Sequence, residues 1–315
     1  MVAANFKPSL ACVNVHEGGK DDDKNDPGGR TAYGVTQARY NQYLRDKGRP
    51  RADVWSITVP EREEIWRTYY WNVVRADDLP AGLDYVVFDA AVNSGPAQAI
   101  RWLQRSLNDV RAKTGQGPIS VDAQMGTNTI AAANAIDDTD AVIERMQARR
   151  LAMLQELRTW KYFGRGWGRR VAEVKKLGQA VARGSVPAPT PAGWVTSPDK
   201  APIAAGGSPT SPKAFQSDAK PLPSATGGVV TTTIGTASSG VSTVTTAAQP
   251  AQGMSPTLDA VLQFLIVLGI VLTLAGAAWA WWANRKSKQM AEALDIAPPP
   301  ALANDNHTDA SEAAA

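Results

Sequence analysis

The sequence predicts a mainly α-helical protein in which a helical domain with one small β-hairpin is followed by a disordered linker and one transmembrane helix. Three observations lead to this fold class. Apolar residues recur at helical spacing up to about residue 184. Residues 185–257 are rich in Pro, Ser, Thr, Ala and Gly, a composition that cannot bury enough surface to offset the entropy of ordering. Residues 260–283 contain no charged residue.

Four segments of the first 184 residues carry the strongest helical pattern. The segment 60–71 opens with a proline and three glutamates near its start, as helix N-termini do. The segment 83–93 is apolar enough for a buried helix, and 97–110 resumes the pattern after Gly95-Pro96. The segment 140–157 is amphipathic. A residue pattern typical of β-strands is found mainly at 31–35, where we expect the hairpin.

The apolar stretch predicts a membrane anchor over residues 258–284. As a helix, its uncharged part is roughly 36 Å long, enough to cross a bilayer. Three tryptophans lie near its end and are followed by Arg285, Lys286 and Lys288. By the positive-inside rule, the C-terminus, with the acidic, disordered tail in 285–315, is cytoplasmic and the N-terminal domain is periplasmic. Met1–Val15 lacks the pattern of a signal peptide, so the route of export is not predicted.

Composition excludes several kinds of site. Cys12 is the single cysteine, so no disulfide within the chain and no cysteine-based metal site is expected. His16 and His307 are the two histidines, which leaves a histidine triad or a multi-histidine metal site unsupported. The acidic run at 21–23 lacks the glycine and glutamate that a calcium loop requires. We therefore predict no metal and no cofactor.

The candidate catalytic residues lie between residues 16 and 36. Glu17 ends a short apolar run before two glycines, and Asp26 and Thr31 flank a Pro-Gly-Gly turn. Two carboxylates that face each other across a cleft are what glycosidic bond cleavage requires. Glu17 is expected to act as the general acid, Asp26 as base or as stabiliser of positive charge on the sugar, and Thr31 as the hydroxyl that orients water. Taken singly, each motif is also an ordinary helix end or turn.

Three blocks resemble glycoside hydrolase family 108, the lysozyme-like N-acetylmuramidases of phages and bacteria. They are HEGG at 16–19, NDPGGRTAYGVT at 25–36 and FDAAVNSGPAQAIRWLQ at 88–104. The resemblance implies a lysozyme-like catalytic domain over 1–95, with its β-hairpin at the active site, and a helical peptidoglycan-binding subdomain over 96–184. It also implies that Glu17 is the catalytic acid.

The same resemblance assigns residues to the glycan cleft. Phage lysozymes place five residues between their aspartate and threonine, whereas this chain has four, so Thr36 is an alternative to Thr31 as the catalytic hydroxyl. Tyr33, Thr36 and Asn93 are expected to bind substrate. Asn93 has a second interpretation, as the cap of a helix that ends before Gly95.

We therefore predict a peptidoglycan hydrolase of the bacterial inner membrane, a single-pass protein that cleaves the β-1,4 bond between N-acetylmuramic acid and N-acetylglucosamine. The alternatives are a lytic transglycosylase and a non-catalytic protein that binds the wall or regulates secretion. Eleven basic residues between 145 and 183, against two acidic ones, suggest a surface for the anionic wall. A phage holin or a secretion apparatus is a candidate partner, and no motif predicts a nucleic-acid partner.

Overall fold

A computed structural model describes residues 5–17, 19–21, 30–189, 213–224 and 256–295. These residues fall into two units, Met1–Lys220 and Pro221–Ala315, which are described separately. Asp26, most of the predicted linker and the tail beyond residue 295 lie outside the described residues. Within them, the predicted mainly helical fold is confirmed.

The first unit begins with a helix and a small antiparallel sheet. Helix α1 spans Phe6–Glu17. Strands β1 (Lys20–Asp21), β2 (Thr31–Ala32) and β3 (Val35–Thr36) pair in that order. The predicted hairpin is the pair β2–β3, in which Ala32 lies opposite Val35. Seven helices follow: α2 (Gln37–Asp46), α3 (Val59–Trp66), α4 (Leu83–Ser94), α5 (Pro96–Lys113), α6 (Thr127–Asn134), α7 (Thr139–Gln155) and α8 (Trp160–Ala182).

The start of α3 is fixed by its sequence. The Thr58 hydroxyl accepts from the Glu61 amide, and the Glu61 carboxylate accepts from the Thr58 amide at 2.8 Å, which satisfies two amides that the first turn leaves without helical partners. The segment 60–71 was predicted as one helix. The structure winds it as α-helix to Trp66 and as a π-helical turn over Arg67–Trp71.

Helix α4 is the centre of the domain. All 12 of its residues are buried, and it packs against α1, α5, α7 and α8. The Phe88 ring lies 5.2 Å from Trp71 and 6.1 Å from Phe6, both edge to face. A helix that is apolar around its whole circumference is stable only when it is covered on all sides, which the neighbouring helices achieve.

Two glycines let α8 approach the start of α4 closely. A Cβ on Gly178 would collide with Val86, and one on Gly82, which has a φ of 83°, would collide with the Gly178 carbonyl. Arg170 lies about two turns earlier on α8. The close crossing therefore helps to bring Arg170 over Asp89, in the middle of α4.

Residues 213–220 also belong to the first unit, and we call them the strap. The sequence predicted disorder over 185–257, and the strap departs from that expectation. Ala214 donates its amide to the Asn93 carbonyl at 2.9 Å, and Ala219 forms an antiparallel bridge with Leu157. These contacts use mainly backbone groups, which an analysis of side-chain hydrophobicity does not detect.

The second unit contains helix α9, which spans Pro256–Ala293. Its segment Gln263–Ala293 has 31 residues, and the most apolar stretch within it has a mean hydropathy of 2.2, so it is long and apolar enough to cross a membrane. Only 6% of its most apolar stretch is buried, unlike the core helix of a soluble domain. The predicted span of 258–284 lies within this longer helix.

Candidate active site

Glu17 is the last residue of α1, and its side chain is buried. It is 2% exposed. Its Oε1 accepts from a guanidinium nitrogen, Nη1 of Arg170, at 2.9 Å, and its Oε2 accepts from Nζ of Lys213 at 2.7 Å. Arg170 comes from α8 and Lys213 from the strap, so the two partners lie 153 and 196 residues away in sequence. The site is thus assembled from the full length of the first unit.

The turn between β2 and β3 lies directly against Glu17. The Tyr33 amide donates to the Gly19 carbonyl at 2.8 Å, which ties this turn to the chain just after α1. Tyr33 and Gly34 both have positive φ, 52° and 77°, as the tightest hairpin turns require. A Cβ on Gly34 would collide with the carboxylate of Glu17. Glycine at this position therefore leaves the space that the carboxylate occupies.

Behind Glu17 lies a network of buried ions on α4, α7 and α8. Asp89 accepts from Nη1 of Arg150 at 2.7 Å and from Nη2 and Nε of Arg170 at 2.8 and 3.0 Å. Asp89, Arg150 and Arg170 are all at most 1% exposed. Arg170 thus bridges the two carboxylates, and Asp89 fixes the guanidinium that holds Glu17.

These charges decide the ionisation of the site. Burial alone raises the pKa of Glu17, but the charges of Lys213 and Arg170, with their hydrogen bonds, outweigh burial and hold the pKa below its usual range. The two arginines likewise overcome burial and hold the pKa of Asp89 well below its usual range. Burial, together with the charge of Arg170, lowers the pKa of His16 to about 4, so this imidazole is neutral at pH 7.

The other predicted site residues have different places. Thr31 is buried in β2, and its hydroxyl has no hydrogen-bond partner among the described residues. Tyr33 is 37% exposed, with the Arg62 guanidinium 4.6 Å from the centre of its ring. Thr36 caps α2 by accepting from the Arg39 amide at 3.2 Å. Asp26 lies outside the described residues.

Asn93 is fully buried near the end of α4. Its side-chain oxygen accepts from Nη2 of Arg150 at 3.2 Å, which joins it to the ion network. Its backbone carbonyl instead binds the amide of Ala214 in the strap. The backbone of Asn93 is therefore the part that contacts the strap, and α4 ends one residue later, at Ser94.

Sequence reasoning missed the partners of Glu17. Asp84 and Asp89 both lie in the apolar run of α4, and a carboxylate in such a run was a signal that a buried polar partner must exist, although it does not identify the partner. Arg150 and Arg170 were assigned to a basic surface for the anionic wall. The structure places both in the core, so that part of the prediction was wrong. No local pattern marked Lys213, which lies in a segment predicted to be disordered.

The rest of the basic segment is divided between paired and exposed residues. Arg149 donates to Asp109 at 2.8 Å, Lys175 binds Glu144, and Arg183 binds Asp140. Three exposed cations, Lys161, Arg165 and Arg169, follow one another at four-residue spacing on α8 and share one face of the helix. The positive surface is therefore smaller than the sequence count of 11 suggests.

Among the described residues, no group of three or more His, Cys, Asp or Glu side chains could hold a metal ion. Cys12 is fully buried, and burial raises the pKa of its thiol to about 12, so it stays protonated. Neither a metal site nor the Cys12 thiol therefore competes with Glu17 as the candidate reactive group among the described residues.

Comparisons with known proteins identify a family for the segment around Glu17. The family model for glycosyl hydrolase 108 matches residues 10–95, the segment that contains Glu17 and the hairpin. Among solved structures, that of Brucella abortus SagA is 34% identical and matches over 56% of this chain and 95% of SagA, with a TM-score of 0.49. A search of curated proteins gave no match. On the family match, the chain contains a glycosyl hydrolase 108 domain at residues 10–95.

Proposed function

We propose that the protein is an N-acetylmuramidase that hydrolyses the β-1,4 bond between N-acetylmuramic acid and N-acetylglucosamine in peptidoglycan, with Glu17 as general acid. One observation carries the assignment: the Glu17 carboxylate sits at the end of α1, against the hairpin turn, inside the segment that matches the glycosidase family. Arg170 holds Oε1 at 2.9 Å and so fixes the direction of the carboxyl group.

In the proposed reaction, the Glu17 carboxylic acid gives its proton to the bridging oxygen as the bond from that oxygen to the sugar carbon breaks. Water then supplies a hydroxyl group to the sugar and a proton to the base. Asp89 is unsuited to the role of second carboxylate, because it is fully buried and two arginines occupy its oxygens. The proposal therefore retains Asp26 as base or stabiliser, with Thr31 or Thr36 orienting the water.

The hairpin supplies candidate contacts to sugar rings. Tyr33 and Trp55 are each 37% exposed, and the Trp55 indole donates to the Thr31 carbonyl at 3.1 Å, which fixes it beside β2. Aromatic faces of this kind present apolar area to the carbon face of a sugar while a polar edge stays wet. Tyr33, Thr36 and the backbone of Asn93 are proposed to line the cleft, and Trp55 is added to the residues that the sequence predicted.

The proposal places the hydrolase domain in the periplasm, tied to the inner membrane by α9. The support is the length and apolarity of Gln263–Ala293 and the basic residues Arg285, Lys286 and Lys288 within it. Protease added to intact spheroplasts should then digest the N-terminal domain and leave α9 protected. A domain that resists protease until the cells are broken would place it in the cytoplasm. A holin or secretion partner stays a prediction.

The decisive experiment compares the full chain with Glu17→Gln on purified peptidoglycan. Loss of the proton donor should slow digestion by about 10²- to 10⁴-fold. Glu144→Gln is the matched control, since this exposed glutamate pairs only with Lys175 among the described residues. It should digest at the wild-type rate.

Product masses separate the three candidate activities. A muramidase leaves reducing muramic acid ends, which have gained a water, whereas a lytic transglycosylase leaves anhydro ends, which have not. Equal digestion by wild type and Glu17→Gln would remove Glu17 from its proposed role. Absence of digestion by every variant, including those described below, would favour a wall-binding protein without activity.

A further inference from the structure

The strap binds the domain at both of its ends. At its start, Ala214 is fully buried and donates its amide to the Asn93 carbonyl at 2.9 Å. The Phe215 ring then lies against Gly95. At its end, Ala219 bridges Leu157, while the Lys220 amide donates to the Glu156 carbonyl at 2.9 Å. Between these two ends, Gln216–Asp218 forms a short 3-10 helix, so backbone bonds anchor the strap on either side of that turn.

Lys213 takes the strap into the candidate active site. Its Nζ lies 2.7 Å from Oε2 of Glu17 and 5.1 Å from the centre of the buried Trp66 ring, and its side chain is only 14% exposed. Oε2 is the oxygen that Arg170 leaves free. A substrate oxygen that is to receive a proton from this atom has to occupy the place where Nζ lies.

We propose that residues 213–220 are an intramolecular inhibitor, which covers Glu17 and must leave before a glycan strand can bind. The inference rests on the proposed function, because it requires Glu17 to act on substrate. The proposed inhibitor is this segment of the chain itself, which contacts Glu17 through Lys213 and the end of α7 through Ala219 and Lys220.

The charges around Glu17 support this interpretation. Without Lys213, the buried cluster contains two carboxylates, Glu17 and Asp89, and two guanidiniums, Arg150 and Arg170, and is neutral. The internal network is therefore balanced without the strap, and Lys213 adds a third cation to it. That cation also favours the ionised form of Glu17, which has no proton to donate. The strap thus opposes catalysis both by position and by charge.

Two substitutions release the strap by different routes. Ala214→Pro removes the amide that binds Asn93, without altering any group that contacts Glu17. Loss of one such bond should raise the rate of peptidoglycan digestion by the full chain about two- to tenfold. Lys213→Met removes the ion pair and should raise it about tenfold or more. Lys47→Met, which breaks an exposed pair with Glu64, is the control and should leave the rate unchanged.

A synthetic peptide with the sequence of residues 211–222 provides the reverse test. It should slow digestion by the Ala214→Pro variant, and the same peptide with methionine in place of its lysine at position 213 should not. The rate gained by Ala214→Pro should disappear when Glu17→Gln is added, since the released activity is assigned to Glu17.

The outcomes separate this inference from the function on which it rests. If wild type digests peptidoglycan and both strap variants digest it no faster, the strap is a structural element and the inhibitor proposal is wrong. If wild type and both strap variants are all inactive, the proposed function itself fails. An inactive wild type with active strap variants would support both.

Discussion

Helix α4 buries two aspartates, and the two carboxylates are held in opposite ways. Asp84 near the start and Asp89 in the middle are both 0% exposed. Asp84 accepts from the Asn5 side-chain amide at 2.8 Å and from the Tyr85 backbone amide at 2.7 Å. Burial, only partly offset by these bonds, raises the pKa of Asp84 to about 6. Asp89, by contrast, has two arginines, and the pKa of its carboxyl lies well below the usual range.

The comparison shows that burial sets the cost of a charge, while the partner decides whether the charge is kept. With neutral amides as partners, the pKa of Asp84 is raised to about 6, whereas the two guanidiniums favour the ionised form of Asp89 and lower its pKa. Asp89 is also the aspartate that shares Arg170 with Glu17. The ion pair with Asp89 therefore fixes the guanidinium that holds Glu17.

The largest expected effect comes from Asp89→Asn. The change leaves Arg150 and Arg170 buried without a full counter-charge, and we expect it to lower the free energy of unfolding by about 3–5 kcal/mol. Urea unfolding of the full chain in mild detergent measures this loss. Asp109→Asn, which removes the 35% exposed partner of Arg149, is the control and should cost at most about 1 kcal/mol. Similar losses for the two variants would contradict the special role of the buried network.

Asp84→Asn should act through pH. Because the folded-state pKa of Asp84, about 6, lies above its unfolded value, its contribution to stability is fully present below about pH 4 and is lost as the pH rises through 6. Asparagine does not titrate. The free energy of unfolding of the variant should therefore rise by about 2–3 kcal/mol relative to that of the wild type when the pH is raised from 4 to 7. Urea unfolding at several pH values checks this, and a constant difference across the range would show that Asp84 does not titrate as proposed.

The smallest effect is expected from Asn5→Ala. The change removes one hydrogen bond to Asp84 and should lower the free energy of unfolding by about 1 kcal/mol at pH 7. The loss should be smaller at pH 4, where the carboxyl group is protonated and accepts more weakly. The same unfolding measurement at the two pH values tests it. A loss independent of pH would mean that Asn5 acts by packing alone.

Much of the fold could be predicted because its signals are local. The amphipathic pattern of 140–157 became α7, and the proline start and acidic first turn of 60–71 became α3. Thr36, proposed to contact the glycan, also caps α2, and its place just before a helical segment is typical of a cap. Glu17 could be proposed as the acid because the glycines that follow it leave a local trace in the sequence.

The ion partners could not be predicted because they depend on tertiary contacts. Arg170 looked like any other cation on α8, and only the crossing of α8 with α4 brings it to Asp89 and Glu17. The binding of the strap to the domain could not be predicted for a different reason. Its binding depends mainly on backbone amides and carbonyls, which every residue carries, so its composition resembles that of a linker.

The attachment of Lys220 to Glu156 also decides where the chain that leads to α9 leaves the domain. While the strap is bound, that chain begins after Lys220; if the strap were released as proposed, it would begin after residue 189. The proposed release would then uncover the proposed acid and lengthen the tether between the domain and α9 in a single event.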